Sequence, residues 1–167
     1  LNALVTAKYS SGLTFNNQAV IITSEDAHVS IKKCAKILGV EDKNIYIVHT
    51  DKNGCMHIPS FIKLLNSLID GGRKIFAVVA TFGTTIRGAL DPINEIGNIC
   101  KEKKIWFHID ASIGGVFLLA NNKFDNIENF NVCNASSITI NPQKLIGIAK
   151  TSSILLVSDF NTLKNTF

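Results

Sequence analysis

Three side chains in this sequence have types and positions that suit joint chemistry. They are Lys144 in SSITINPQKLIGIAK (136–150), Asp110 at the end of IWFHID (105–110) and His28 in SEDAHVS (24–30). Each follows a short apolar run that reads as a strand. The strand at 138–140 must stop at Asn141-Pro142, because proline has no N–H to give a sheet ladder. Lys144 comes just behind, where an amine loses part of its water; taken alone, it reads as a surface lysine in a loop. Asp110 ends a strand carrying Trp106 and Phe107. Its carboxylate would be partly desolvated and need donors; taken alone, it reads equally as a cap. His28, close to a helix start, is on its own a local hydrogen-bonding residue. Together the three would put an amine, a carboxylate and an imidazole on one rim of one sheet.

A lysine amine condenses with an aldehyde to form a Schiff base. Pyridoxal phosphate supplies such an aldehyde, and its pyridine nitrogen must keep a proton for the ring to draw electrons. An acid beside that nitrogen holds the proton, and a flat imidazole can stack on the ring. Backbone N–H groups at helix starts and small hydroxyls suit the phosphate. Lys144, Asp110 and His28 thus have three separate tasks on one cofactor.

The elements that must position them alternate along the chain. A helix tail covers 1–9 and a strand 19–24. A helix capped by Ser24 or Asp26 carries Ile31, Cys34, Ala35 and Leu38 at helical spacing and ends at Gly39. A strand at 44–50 and a DKNG turn (51–54) follow. The next helix, 59–69, opens on Pro59 and closes at Gly71-Gly72. KIFAVVATF (74–82) is apolar enough for a strand buried on both faces. Asp91 as cap and Pro92 at the first position open a helix to 104. Strand 105–110, a glycine-containing loop with a weak helix, and strands 136–140 and 153–158 complete the series. Strands alternating with helices predict an α/β layer fold with a mostly parallel sheet and helices on both faces. In such folds ligands bind beyond the carboxyl ends of the strands. Asp26 and His28, Gly83-Thr84-Thr85, Asp110, and Asn141 with Lys144 all fall there.

At these residues the sequence resembles the pyridoxal-phosphate-dependent amino-acid decarboxylases, the group of glutamate, cysteine-sulfinate and aromatic-L-amino-acid decarboxylases. The resembling stretches are DAHVSIKKCAKILGV, VATFGTTIRGALDPINEIGNICKEKKIWFHIDASIGG and ASSITINPQKLIGI, in the family's order. The resemblance implies that Lys144 is the Schiff-base lysine and Asp110 the partner of the pyridine nitrogen. It implies that His28 stacks on the ring and takes part in proton delivery, with Thr85 on the other side. Asn141 would lie near the phosphate and Ser112 under the ring, where the family usually has alanine. Gln143 stands where the family has histidine; it can donate a hydrogen bond but carries no proton near neutral pH. The implied fold is the large domain of type I (aspartate-aminotransferase-like) enzymes, with one antiparallel strand, for which SILLVS is the candidate. The implied reaction turns an L-amino acid into its amine, in a homodimer with the site at the subunit boundary. Another type I lyase, an oxidative decarboxylase and a non-catalytic paralogue are the alternatives.

Composition bounds the rest. At 167 residues and 46% apolar content, one domain with a sizeable core is expected. The net charge of +4 comes from dispersed lysines, which gives no nucleic-acid footprint. Apolar runs such as IFAVVA are too short to span a bilayer. Cys34, Cys55, Cys100 and Cys133 form no C-x-x-C pair, which suits free thiols in the cytoplasm, and the dispersed histidines offer no metal site. The opening LNALVTAKYSSG is already in helical rhythm. It reads as a cut through a larger protein: residues 1–167 would be the central part of the cofactor-binding domain. A phosphate-binding segment would precede it and a small domain would follow.

Overall fold

A computed structural model describes residues 1–13, 19–118, 131–149 and 151–167. Six strands form one sheet in the order β2-β1-β3-β4-β5-β6. They are β1 (Ala19–Ser24), β2 (Ile45–Val48), β3 (Lys74–Thr81), β4 (Trp106–Asp110), β5 (Ser137–Ile140) and β6 (Ile154–Val157). The first five run parallel, and β6 pairs antiparallel with β5, as expected of SILLVS.

Side-chain alternation explains why helices cover both faces. Val20, Ile22, Val78 and Ala80 point to one face and pack with Phe61 and Leu65 of α3 (Ile58–Asp70) and Ile93 and Ile96 of α4 (Ile93–Glu102). Ile21, Ala77 and Val79 point to the other face. They meet Leu4 and Ala7 of α1 (Asn2–Ser10) and Ile31 and Ala35 of α2 (Ser30–Ile37). A strand so enclosed favours apolar residues, and β1 is buried from end to end, with its polar Thr23 and Ser24 at the carboxyl end. Polar groups gather toward the strand ends, and His108, inside β4, is the buried exception that needs polar partners. The chain winds outward from β1 to β2 and then crosses back to β3, so the topological switch lies between β1 and β3, a place where the carboxyl ends leave a crevice.

Two expected helix starts differ. Ser24 is the last residue of β1 and α2 opens six residues later at Ser30, so neither Ser24 nor Asp26 caps it. Asp26 instead lies 3.2 Å from the Arg87 guanidinium. Asp91 does not cap α4 through its side chain either. Its buried carboxylate accepts the N–H of Met56 at 2.6 Å and of Thr81 at 2.7 Å, tying the loop after β2 to the end of β3. Of the weak helix expected after β4, α5 (Gly115–Leu118) is described; the stretch 119–130 lies outside the described residues. Beyond β5, α6 (Pro142–Leu145) is a single turn, and α7 (Phe160–Thr166) starts on an Asp159 carboxylate that accepts two backbone N–H groups.

Backbones approach closely beside the crevice. Gly114 donates its N–H to the Phe82 carbonyl at 3.0 Å, and a Cβ on Gly114 would sit 2.7 Å from Phe82 Cδ1. Overpacking of this kind costs roughly 1–3 kcal/mol. Gly114→Ala is expected to lower unfolding free energy by about 2–3 kcal/mol in denaturant titrations. Gly72→Ala, where φ is +69° and nothing lies within 4 Å, is expected to cost about 1 kcal/mol.

Candidate active site

The carboxyl ends of β3, β4 and β5 are level, because the register pairs Thr81 with Asp110 and Asp110 with Thr139. Beyond them lies a cleft of ≈ 380 Å³, within the usual small-molecule range of roughly 300–1,000 Å³. Its lining includes His28, Thr85, Asp110, Ser112, Asn141 and Lys144. Six of the seven residues singled out from the sequence thus share one cavity. The seventh, Gln143, is not among the lining residues: its Oε1 accepts the Ser152 N–H at 2.6 Å. At that position the side chain ties α6 to the approach to β6.

Each wall is built differently. Asp110 is 8% exposed. Its Oδ1 accepts the Ser112 hydroxyl at 2.5 Å and the Ser112 N–H at 3.2 Å, while Oδ2 accepts no hydrogen bond among the described residues. One oxygen is committed and the other is left for a ligand. Lys144 projects from α6 and is exposed, so the amine keeps more water than its place behind β5 suggested. Among the described residues no ion pair joins Lys144 to Asp110. Asn141 accepts the Ser153 hydroxyl at 2.7 Å on its Oδ1, which leaves its amide N–H groups as donors.

Thr85 stands on the loop between β3 and α4, which the Asp91 carboxylate holds at its base. Within it Gly83 and Thr84 donate N–H groups to the Ala89 carbonyl at 3.1 and 3.0 Å, and Thr84 Oγ1 accepts the Ala89 N–H at 3.0 Å. Gly83 has φ +95°, and a Cβ there would meet Gly114 N at 2.9 Å, so only glycine suits both the turn and the close approach. His28 ends the turn after β1, with Ser30 Oγ 2.8 Å from its Nδ1.

Sequence reasoning missed three contributors. Thr81 lines the cleft with a buried Oγ1 that has no hydrogen-bond partner among the described residues, and Ser30 lines it too. His108 sits two residues before Asp110 on β4, a spacing that puts both on one face and was legible in HID. Its Nδ1 lies 2.8 Å from Ser137 Oγ, which also accepts the Trp106 indole N–H at 2.9 Å. Burial holds the His108 imidazole well below the ordinary histidine range, against the opposing pull of the Asp110 charge. Asp91 is pushed up to about 6 by burial, against its two backbone N–H bonds.

The donor set fits a small anionic heterocycle. The cleft offers one amine, one carboxylate oxygen without a partner, an imidazole, an orphaned buried hydroxyl and free amide N–H groups.

Fold and cleft fit the α/β large domain of type I pyridoxal-phosphate-dependent enzymes that the sequence resembles. The chain belongs to the family described as the pyridoxal-dependent decarboxylase conserved domain, whose sequence profile matches residues 6–167. It is 37% identical over 148 residues to the acidic amino acid decarboxylase GADL1 of Xenopus tropicalis, covering 89% of this chain and 29% of that protein. With the Homo sapiens protein of the same name the identity is 34% over 152 residues, 91% of this chain and 29% of the relative. The crystal structure of mouse CSAD superposes with a TM-score of 0.89 at 30% identity, over 99% of this chain and 36% of that one. Rhodiola rosea 4-hydroxyphenylacetaldehyde synthase gives 0.89 at 26%, with the same coverage of 99% and 36%. The chain therefore spans about a third of the length of the relatives it matches.

Two buried groups give opposed pH dependences. A carboxyl whose folded value is raised from 3.8 to about 6 favours the folded state below about 4, and that contribution disappears as pH rises through about 6. The change is about 3 kcal/mol. A histidine held below its ordinary 6.5 favours the folded state at neutral pH and loses that contribution as pH falls below 6.5. In denaturant unfolding at pH 4 and pH 7.5, Asp91→Asn should lose stability on acidification more than wild type does, by about 2 kcal/mol. His108→Gln should lose less than wild type.

Proposed function

We propose that this chain is the central part of the cofactor-binding domain of a pyridoxal-phosphate-dependent carboxy-lyase acting on an L-amino acid. The observation that carries the reading is the shared cleft of Lys144, Asp110 and His28 at the carboxyl ends of three different parallel strands. A purely structural domain needs none of these groups there. The relatives named acidic amino acid decarboxylases make amino acids with acidic side chains the first substrates to try.

Pyridoxal phosphate, when bound, supplies an aldehyde and an electron-withdrawing pyridinium ring that accepts the electron pair left when carbon dioxide departs. Lys144 would be the amine that holds the aldehyde, and its exposed position leaves it within reach of a substrate. Asp110 would hold a proton at the ring nitrogen through Oδ2, the oxygen that Ser112 leaves free. His28 and Thr85, both in the cleft lining, would be the contacts to the ring. Asn141 offers amide N–H groups to phosphate, whereas Gln143, held by Ser152, belongs to the support of the Lys144 turn. The residues that would orient a substrate carboxylate in the cleft would decide which bond breaks.

A homodimer with the cleft at the subunit boundary fits the apolar groups beside it, with Ile86 95% exposed and Val29 56% exposed. The four unpaired thiols fit a reducing compartment such as the cytoplasm. Among the described residues no helix is long and apolar enough to cross a membrane. An oxidative decarboxylation is the second reading, favoured by the structural neighbour named for an aldehyde product. Amine or aldehyde in the product separates the two.

The test uses the full-length protein. Wild type should show the visible absorbance of the lysine-bound cofactor and release carbon dioxide from one amino acid in a screen. Lys144→Ala should lose both, and an unchanged spectrum would rule out Lys144 as the attachment point. Asp110→Asn should retain cofactor but lose turnover by several orders of magnitude; near-normal activity would refute its role.

A further inference from the structure

The surroundings of His28 determine where its imidazole carries a proton. Nδ1 faces Ser30 twice. The Ser30 backbone N–H donates to it at 3.3 Å, and the Ser30 hydroxyl lies 2.8 Å away. A backbone N–H can only donate, so Nδ1 must present its lone pair. In the neutral ring the proton is then on Nε2. The arrangement is set by the fold, because Ser30 is the first residue of α2, where backbone N–H groups have no partner within the helix. The neighbouring donor, the Ile31 N–H, bonds to the His28 carbonyl at 3.0 Å. His28 thus satisfies two N–H groups of this helix start, one with its ring and one with its backbone. Both His28 and Ser30 line the cleft.

We propose that Ser30 is a positioning residue that fixes the tautomer and ring orientation of His28, so that Nε2–H is the polar atom offered to whatever occupies the cleft. His28 then acts as a hydrogen-bond donor. It suits an acceptor oxygen, such as a substrate carboxylate or the oxygen on the cofactor ring, and in this tautomer it has no lone pair with which to take up a proton from them. The backbone N–H survives any substitution of Ser30 other than proline, whereas the hydroxyl, which makes the shorter contact, does not. Threonine keeps the hydroxyl and alanine removes it. The catalytic part of this inference rests on the function proposed above; the tautomer does not.

Two measurements on the full-length protein separate them. The first is nitrogen NMR of histidine-selectively labelled protein, with the His28 signals assigned by their loss in His28→Gln. The expected pattern is protonated Nε2 and unprotonated Nδ1 in wild type, retained in Ser30→Thr; Ser30→Ala, left with only the longer 3.3 Å N–H contact, should keep Nε2–H as the major form but admit some of the other tautomer. A protonated Nδ1 in wild-type neutral imidazole would overturn the proposal whether or not the protein is a decarboxylase. The second is steady-state kinetics with the substrate found in the screen. Ser30→Ala should lower kcat roughly tenfold with KM within about twofold, while Ser30→Thr recovers most of the rate. His28→Gln, which keeps a donor, should exceed His28→Phe, which keeps only a flat ring. Wild-type kcat in Ser30→Ala, or equal loss in Ser30→Ala and a folded Ser30→Thr, would overturn the positioning role. A wild-type protein without cofactor absorbance or carbon dioxide release would instead refute the proposed function, leaving the NMR result to decide the tautomer.

Discussion

The constraint on which the rest depends is that the parallel strands are enclosed by helices on both faces. Every side chain along β1 is buried, and alternate residues of β3 feed two separate cores. An unpaired polar group in the middle of such a strand would be costly. Chemistry is left to the strand ends, and the change of winding direction between β1 and β3 opens a crevice at one of them. His28, Asp110 and Lys144 are far apart in sequence yet neighbours in space because each is among the first residues that can afford to be polar.

Support for the site is layered in the same way. Asp110 has Ser112 in front and His108 behind it on the same face of β4, with Ser137 and Trp106 extending the polar strip away from the cleft. Hydrogen bonds satisfied by fixed partners hold a carboxylate in one orientation more firmly than water can. The Lys144 turn is held in a comparable way by two cross-connections, Gln143 to Ser152 and Asn141 to Ser153.

How far the fold was legible follows from what each element buries. The doubly covered strands declared themselves as unbroken apolar runs, and the helices of 58–70 and 93–102 by their spacing, proline starts and glycine or charged ends. The six singled-out residues that line the cleft were legible because they sit at or just beyond those strand ends. What failed was local chemistry shared with distant chain. Asp91 has the sequence context of a helix cap, but Met56, 35 positions away, and Thr81 supply better donors than the helix does. Asp26 likewise serves Arg87. Gln143 was placed by its neighbour Lys144, although adjacent side chains on a single helical turn point in different directions. His108 shares its face of β4 with Asp110, as the spacing shows, but its partner Ser137 lies 29 positions away, out of reach of a local reading.

The Asp91 link has a consequence for which exchanges this position tolerates. Its two carboxylate oxygens face two N–H groups, and neither N–H can turn round. Asparagine has the same outline, yet its amide nitrogen would confront one of those N–H groups with another donor. Glutamate has the right charge but an extra methylene at a fully buried position. Either exchange would disturb a link shared by two stretches of chain that are otherwise far apart.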